Sequence, residues 1–182
     1  MRCLAAALLL AAAPSFAAEV AGVKVPESIV VDGAALQLNG AGLRKKFIVK
    51  VYVGALYLPK KMADPSAIVA LDQPKAVRMA LLRDVDRGSI LGAFKDGFEN
   101  NSKAQFAELA PKLKLLEDAI PAEVKEGQVI VVVYVPGRGS TVGLEGGKAV
   151  TVEGTAFGQA LFRNWLGEDP ADEGLKDGML GK

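Results

Sequence analysis

Arg44, Lys45, Lys46, Lys50 and Tyr52 put four cations and a phenol into one short stretch of the chain. That chemistry suits an anion. Arg44 is the best placed of them, because a planar guanidinium gives two parallel hydrogen bonds to a carboxylate or an enolate. A solvated strand end reads the same way, and for Lys45 and Lys46 that reading prevails. The Tyr52 hydroxyl either reaches a ligand or tips a packed aromatic ring at the surface. Further along, Arg83 ends an apolar face and either serves a pocket or pairs with Asp84 or Asp86. Asn100 and Asn101 close a helical stretch, where asparagine is common, and Thr155 stands where a helix needs a cap.

Histidine is absent from all 182 residues, which removes Ser-His-Asp and Cys-His nucleophilic systems together with the usual zinc and haem ligation. The acidic residues are scattered and form no calcium-loop pattern, so no metal and no cofactor are expected. Gly40-x-Gly42 and Gly137-x-Gly139 do not fit a dinucleotide fingerprint, because strands rather than helices follow both; they read as turns. With 22 basic residues against 21 acidic ones, the chain has no charge excess with which to attract nucleic acid.

Met1 to Ala17 reads as an export leader. Arg2 supplies the positive start, Leu4 to Ala13 the apolar run, and Ser15 and Ala17 the small residues that a signal peptidase reads. A periplasmic location follows. The run is shorter than the roughly 20 residues of a bilayer span, and no longer one follows, so no transmembrane segment is expected. Cys3 precedes the apolar run rather than following it, so it marks no lipid anchor and leaves with the leader. Residues 18–182 then form a single domain.

The elements that position the candidate residues follow from periodicity. Ser28 to Val31 and Ala35 to Leu38 read as strands joined at Asp32-Gly33, a dipeptide suited to a type I′ turn. Gly40 to Gly42 should turn the chain and deliver Arg44 to a strand running from Phe47 to Tyr57. There Phe47, Val49, Val51, Val53, Ala55 and Tyr57 face a core, while Lys46, Ile48, Lys50, Tyr52, Gly54 and Leu56 line a cleft. A strand from Ala76 to Arg83 follows. Ser89 should cap a helix whose buried stripe is Ile90, Phe94 and Phe98, and Pro111 should break the helical stretch after it. Strands return at Gln128 to Val135, Ser140 to Leu144 and Ala149 to Val152. A last long helix, capped by Thr155, carries Phe157, Leu161 and Trp165. The order implies an α+β fold with a largely antiparallel sheet covered on one side by helices.

The stretch from Leu38 to Pro59, LNGAGLRKKFIVKVYVGALYLP, resembles the chalcone isomerase family, in particular its bacterial exported chalcone-isomerase-like branch. VRMALLRDV from Val77 and FGQALFRNWLGEDPADEGLK from Phe157 extend the resemblance over essentially the whole chain after the leader. It implies an open-faced β-sandwich with a ligand cleft between the large sheet and its helices. Some members cyclise chalcones; others bind fatty acids without known isomerase activity. By resemblance Arg44 is the arginine that meets the anionic end of the ligand. Tyr52 stands where the enzymes have a threonine, at a shorter spacing from the arginine. Asn100 or Asn101 and Thr155 match a helical asparagine and a helix-opening threonine. The enzymes also use a tyrosine after the next strand, but none lies between Tyr57 and Tyr134.

The function expected is therefore non-catalytic binding of a fatty acid or similar amphipathic anion, with Arg44, Tyr52, Asn100, Asn101 and Thr155 as ligand-binding residues. The alternative is an intramolecular lyase acting on a chalcone-like unsaturated ketone, with Arg44 and Tyr52 catalytic. The partner expected is thus a small amphipathic or aromatic ligand.

Overall fold

The structure is a computed structural model and describes residues 16–182. Residues 1–15 of the expected leader lie outside the described residues. In chain order the elements are β1 (Phe16–Val20), β2 (Val23–Pro26), β3 (Ser28–Val31), β4 (Ala34–Lys46), β5 (Val49–Leu58), α1 (Pro65–Ala70), β6 (Lys75–Leu81) and β7 (Val85–Asp86). Then come α2 (Arg87–Asn101), α3 (Phe106–Leu113), β8 (Glu123–Val124), β9 (Val129–Val135), β10 (Gly139–Leu144), β11 (Ala149–Val152), α4 (Thr155–Leu166) and α5 (Glu173–Met179).

Seven strands form one sheet in the order β11-β10-β9-β6-β5-β4-β3, and every pairing in it is antiparallel. The helices lie on one face, so the α+β architecture expected from the element order is the one observed. Asp32 and Gly33 both have positive φ, at 50° and 78°, as a type I′ turn between β3 and β4 requires. The stripe of Ile90, Phe94 and Phe98 is buried as its spacing predicts. Its helix begins earlier than expected, because Asp86 and not Ser89 caps it: Asp86 Oδ1 accepts from the Ser89 amide at 2.9 Å. Pro111 lies inside α3 without ending it, and the next residues tighten into a 3₁₀ turn, Lys114–Asp118.

Both faces of the sheet are covered. Tyr52, Leu56, Val77, Met79, Ile130 and Val132 pack under the helices with Phe94, Phe98, Leu161 and Trp165. Val53, Ala55 and Tyr57 point the other way, into a smaller core closed by Val25 and the β1–β2 hairpin. The face read as a cleft wall is thus most of the main core, and the face read as the core is the lesser one. A run of apolar residues on both sides of a strand does not say which side receives the helices.

Two further expectations change in the same region. Gly40, Ala41 and Gly42 are not a turn but the middle of β4. A Cβ on Gly40 would stand 2.2 Å from the Gly178 carbonyl, and one on Gly42 would stand 2.8 Å from that of Leu175. These glycines let α5 rest its backbone on the strand. Asn39 fixes the contact, donating from Nδ2 to the carbonyls of Met179 at 2.8 Å and Met62 at 2.9 Å. Phe47 and Ile48, expected inside the long strand, instead form the two-residue turn between β4 and β5.

Candidate functional site

Arg44 on β4 pairs directly with Tyr52 on β5, and cross-strand partners share a face. Both therefore lie on the helical side, with the Arg44 guanidinium carbon 5.7 Å from the centroid of the Tyr52 ring. Tyr52 is closed off from above. Its hydroxyl accepts a hydrogen bond from Trp165 Nε1 at 2.9 Å, and burial pushes the phenol up to about 12 against the opposing pull of Arg44. A phenol so placed is no proton shuttle near neutrality. Tyr52 instead gives Arg44 an aromatic platform. Arg44 is half-buried, and among the described residues no side chain or carbonyl pairs with its guanidinium.

Arg44 borders a cleft of about 650 Å³. One wall is the tip of the β4–β5 hairpin, with Phe47, Val49 and Val51; the segment after β6 contributes Arg83 and Val85; α2 contributes Ala93 and Asn100. Pro170 and Ala171 close the far side. The lining mixes these apolar groups with charged and amide side chains, as an amphipathic ligand would require. Four carboxylates, Asp84, Asp86, Asp96 and Asp169, also border the cleft and face its cations. The Glu126 amide and Lys125 hold the Asp84 carboxyl below the usual range, and Ser89 does the same for Asp86.

The floor holds a residue that sequence reasoning missed. Asn164 on α4 is 4% exposed, and among the described residues neither its Nδ2 nor its Oδ1 has a hydrogen-bond partner. Its amide fits there because α2 offers Gly97, where a Cβ would stand 2.0 Å from Asn164 Oδ1. The signal available in the sequence is an asparagine seven residues after Phe157 and three after Leu161, on the helix face that those two apolar residues share. A buried amide with nothing to bond to is costly unless a ligand completes it.

The other candidates divide. Asn100 is exposed on the cleft wall, beside Arg44's opening. Asn101 turns away and staples the chain after α4: Nδ2 donates to the carbonyls of Gly97 at 3.0 Å and Asp169 at 2.7 Å, and Oδ1 accepts from the Asp169 amide at 2.9 Å. Arg83 is exposed at the rim and donates to the Asp84 carbonyl at 3.3 Å.

Thr155 is not brought to the cleft. Gly154 precedes α4 with no side-chain cap, and Thr155 Oγ1 lies 3.2 Å from the hydroxyl of Tyr134, which donates to Asp72 Oδ1 at 2.6 Å. Tyr134 pairs with Lys75 and Tyr52 with Leu81, so the two tyrosines stand at opposite ends of β6, about 20 Å apart. At the Thr155 end Lys75 is 1% exposed and donates to the carbonyls of Ile68, Val69 and Leu71 at 2.9, 2.8 and 2.9 Å. Its ammonium also lies 5.1 Å from the Tyr134 ring centre and 5.0 Å from that of Phe162. Burial draws its pKa down to about 8, with Asp72 opposing. Among the described residues no cluster could hold a metal ion, and no helix is long and apolar enough to cross a membrane.

A family model described as chalcone isomerase-like matches residues 17–181. The chain belongs to the chalcone isomerase-like family. No curated protein matches the sequence. Among solved structures, a fatty-acid binding protein of Arabidopsis thaliana is similar at a TM-score of 0.64 and 17% identity, over 85% of this chain and 96% of that one. The seven-stranded curled sheet with its helices is thus the chalcone isomerase-like fold. In this member Arg44 borders the cleft, Tyr52 beside it is hydrogen-bonded by Trp165, and the segment between β6 and α2 contains no tyrosine.

Proposed function

We propose that this chalcone isomerase-like protein binds a fatty acid or a similar amphipathic anion in the Arg44 cleft and performs no chemistry on it. One observation carries this reading: a half-buried guanidinium at the cleft, backed by an aromatic ring, forms no ion pair among the described residues. A carboxylate head group would take two hydrogen bonds from the Arg44 guanidinium, with Asn100 and the unbonded amide of Asn164 in the same cleft. The tail would lie along Val49, Val51, Val85 and Pro170. The similarity in fold to a protein named for fatty-acid binding supports the ligand class. Export to the periplasm, as in a bacterial exported branch, belongs to the same proposal. Cleavage after Ala17 would leave Ala18, Glu19 and Val20 paired with β2, and N-terminal sequencing of the mature protein should begin at Ala18.

The test is titration of the purified protein with a long-chain fatty acid, followed by native mass spectrometry. Wild type should retain the acid, and Arg44→Ala should bind it at least about tenfold more weakly, the loss of one charge-assisted pair. Equal affinity in the two proteins would sink the assignment of the head group to Arg44.

A further inference from the structure

The tip of the β4–β5 hairpin has a composition that neither the core nor the cleft explains. Phe47 and Ile48 are 92% and 94% exposed, the two most exposed large apolar side chains among the described residues. Phe47 also has φ +57°, a conformation that a two-residue hairpin turn ordinarily assigns to glycine or asparagine. The sequence therefore accepts local strain in order to hold an aromatic ring out in water.

Cations flank the pair. Lys45 and Lys50 are direct cross-strand partners, an unfavourable like-charge pairing, and Lys46 pairs with Val49. All three lysines are exposed, and no carboxylate among the described residues pairs with their ammonium groups. From Gly33 to Ala63 the chain carries no acidic residue. Asp172 is the carboxylate beside this end of β4, and its Oδ2 is engaged by the Lys45 backbone amide at 3.0 Å.

We infer that this tip docks the protein on an anionic lipid surface, with Phe47 and Ile48 entering the boundary between head groups and acyl chains and Lys45, Lys46 and Lys50 meeting lipid phosphates. The spacing fits. One residue of strand rises about 3.3 Å, which puts the lysines at head-group depth when the two apolar residues are immersed by about 5 Å. The charge is complementary, since each lysine near an anionic leaflet is attracted to it. Lys46, Phe47 and Val49 also line the cleft, so docking turns the cleft's mouth toward the bilayer. Docking itself does not depend on what the cleft holds.

The test is co-sedimentation of the full chain with two kinds of vesicle, one of neutral phosphatidylcholine alone and one with a third of the lipid replaced by phosphatidylglycerol. Wild type should bind the anionic vesicles at least about tenfold more tightly than the neutral ones, and added salt should weaken the binding. Phe47→Asn with Ile48→Ser should lower it at least about tenfold. Asparagine accepts positive φ, so this variant should melt no lower than wild type. Lys45→Gln, Lys46→Gln and Lys50→Gln together should abolish the preference for anionic vesicles. Arg44→Ala should keep vesicle binding within about twofold, which separates this idea from the cleft assignment. No binding by wild type, or full binding by the Phe47→Asn, Ile48→Ser variant, would overturn the inference. So would a wild-type dimer that the variant dissolves while vesicles are ignored, which would make the tip an interface between copies.

Discussion

The two ends of β6 each set a cation beside a tyrosine, and the pairs have opposite fates. At one end Lys75 uses all three of its protons on carbonyls and lies near two aromatic rings. At the other, Arg44 sits near Tyr52 with its donors unused, and Asn164 stands in the same cleft with its amide unbonded. Burial alone would have singled out Lys75, which is the more enclosed. Satisfaction separates them better: a buried cation with every proton bonded is scaffold, and one left open in the same cleft as an unbonded amide is where the proposed ligand would bind.

The largest test of this contrast is Lys75→Met, which strips three carbonyls at the end of α1 of their partner. It should cost about 3 kcal/mol in urea unfolding. A cost near zero would break the comparison at its closed end. The pH dependence has a definite sign. The Lys75 pKa lies near 8 when folded, below its ordinary 10.5, so between those values the unfolded chain binds more protons and stability rises with pH. Wild type should therefore gain on Lys75→Met as pH goes from about 8 to about 10.5 and lose that gain as it falls back through 8, readable as a widening gap in Tm. Tyr52→Phe removes the Trp165 bond and should cost about 1 kcal/mol while leaving the ring near Arg44 in place. Asn164→Leu should move the other way and raise stability by about 1 kcal/mol, since an unpaired buried amide is exchanged for apolar contact. It should also weaken fatty-acid binding. Arg44→Ala should be the smallest on the stability axis, about 0.5 kcal/mol, because the contact that depends on its charge is a partly exposed cation–π pair with Tyr52.

The seven strands of the large sheet, the Asp32-Gly33 turn and the Phe94 stripe are legible because each rests on a local period or a turn rule, whereas the short strands β1, β2, β7 and β8 and the order of strands within the sheet are not. Arg44 is legible because charge inside an apolar strand has few uses. The glycines of β4 are not, since a glycine that bends a chain and one that admits a helix are the same letter. Phe47 and Ile48 extend the alternation of β5 so well that nothing local marks a turn there. Thr155 opens its helix as the resemblance implies, yet it stands about 20 Å of strand away from Arg44, and only the register of β6 with its neighbours shows this. Asn164 is hidden for the opposite reason: polar residues on helices are ordinarily read as facing water, and its burial depends on Gly97 of another helix.

The glycine seam also ties together distant parts of the chain. Asn39 and Met179 are 140 residues apart, and α5 has only seven residues, below the length at which a helix holds by itself in water. It owes its order to β4, and the glycine face of β4 owes its cover to α5, so the two should open as one cooperative unit. Amide exchange at Leu180 and Gly181 should keep pace with that of the residues around Arg44, so that loosening α5 loosens the strand that carries Arg44.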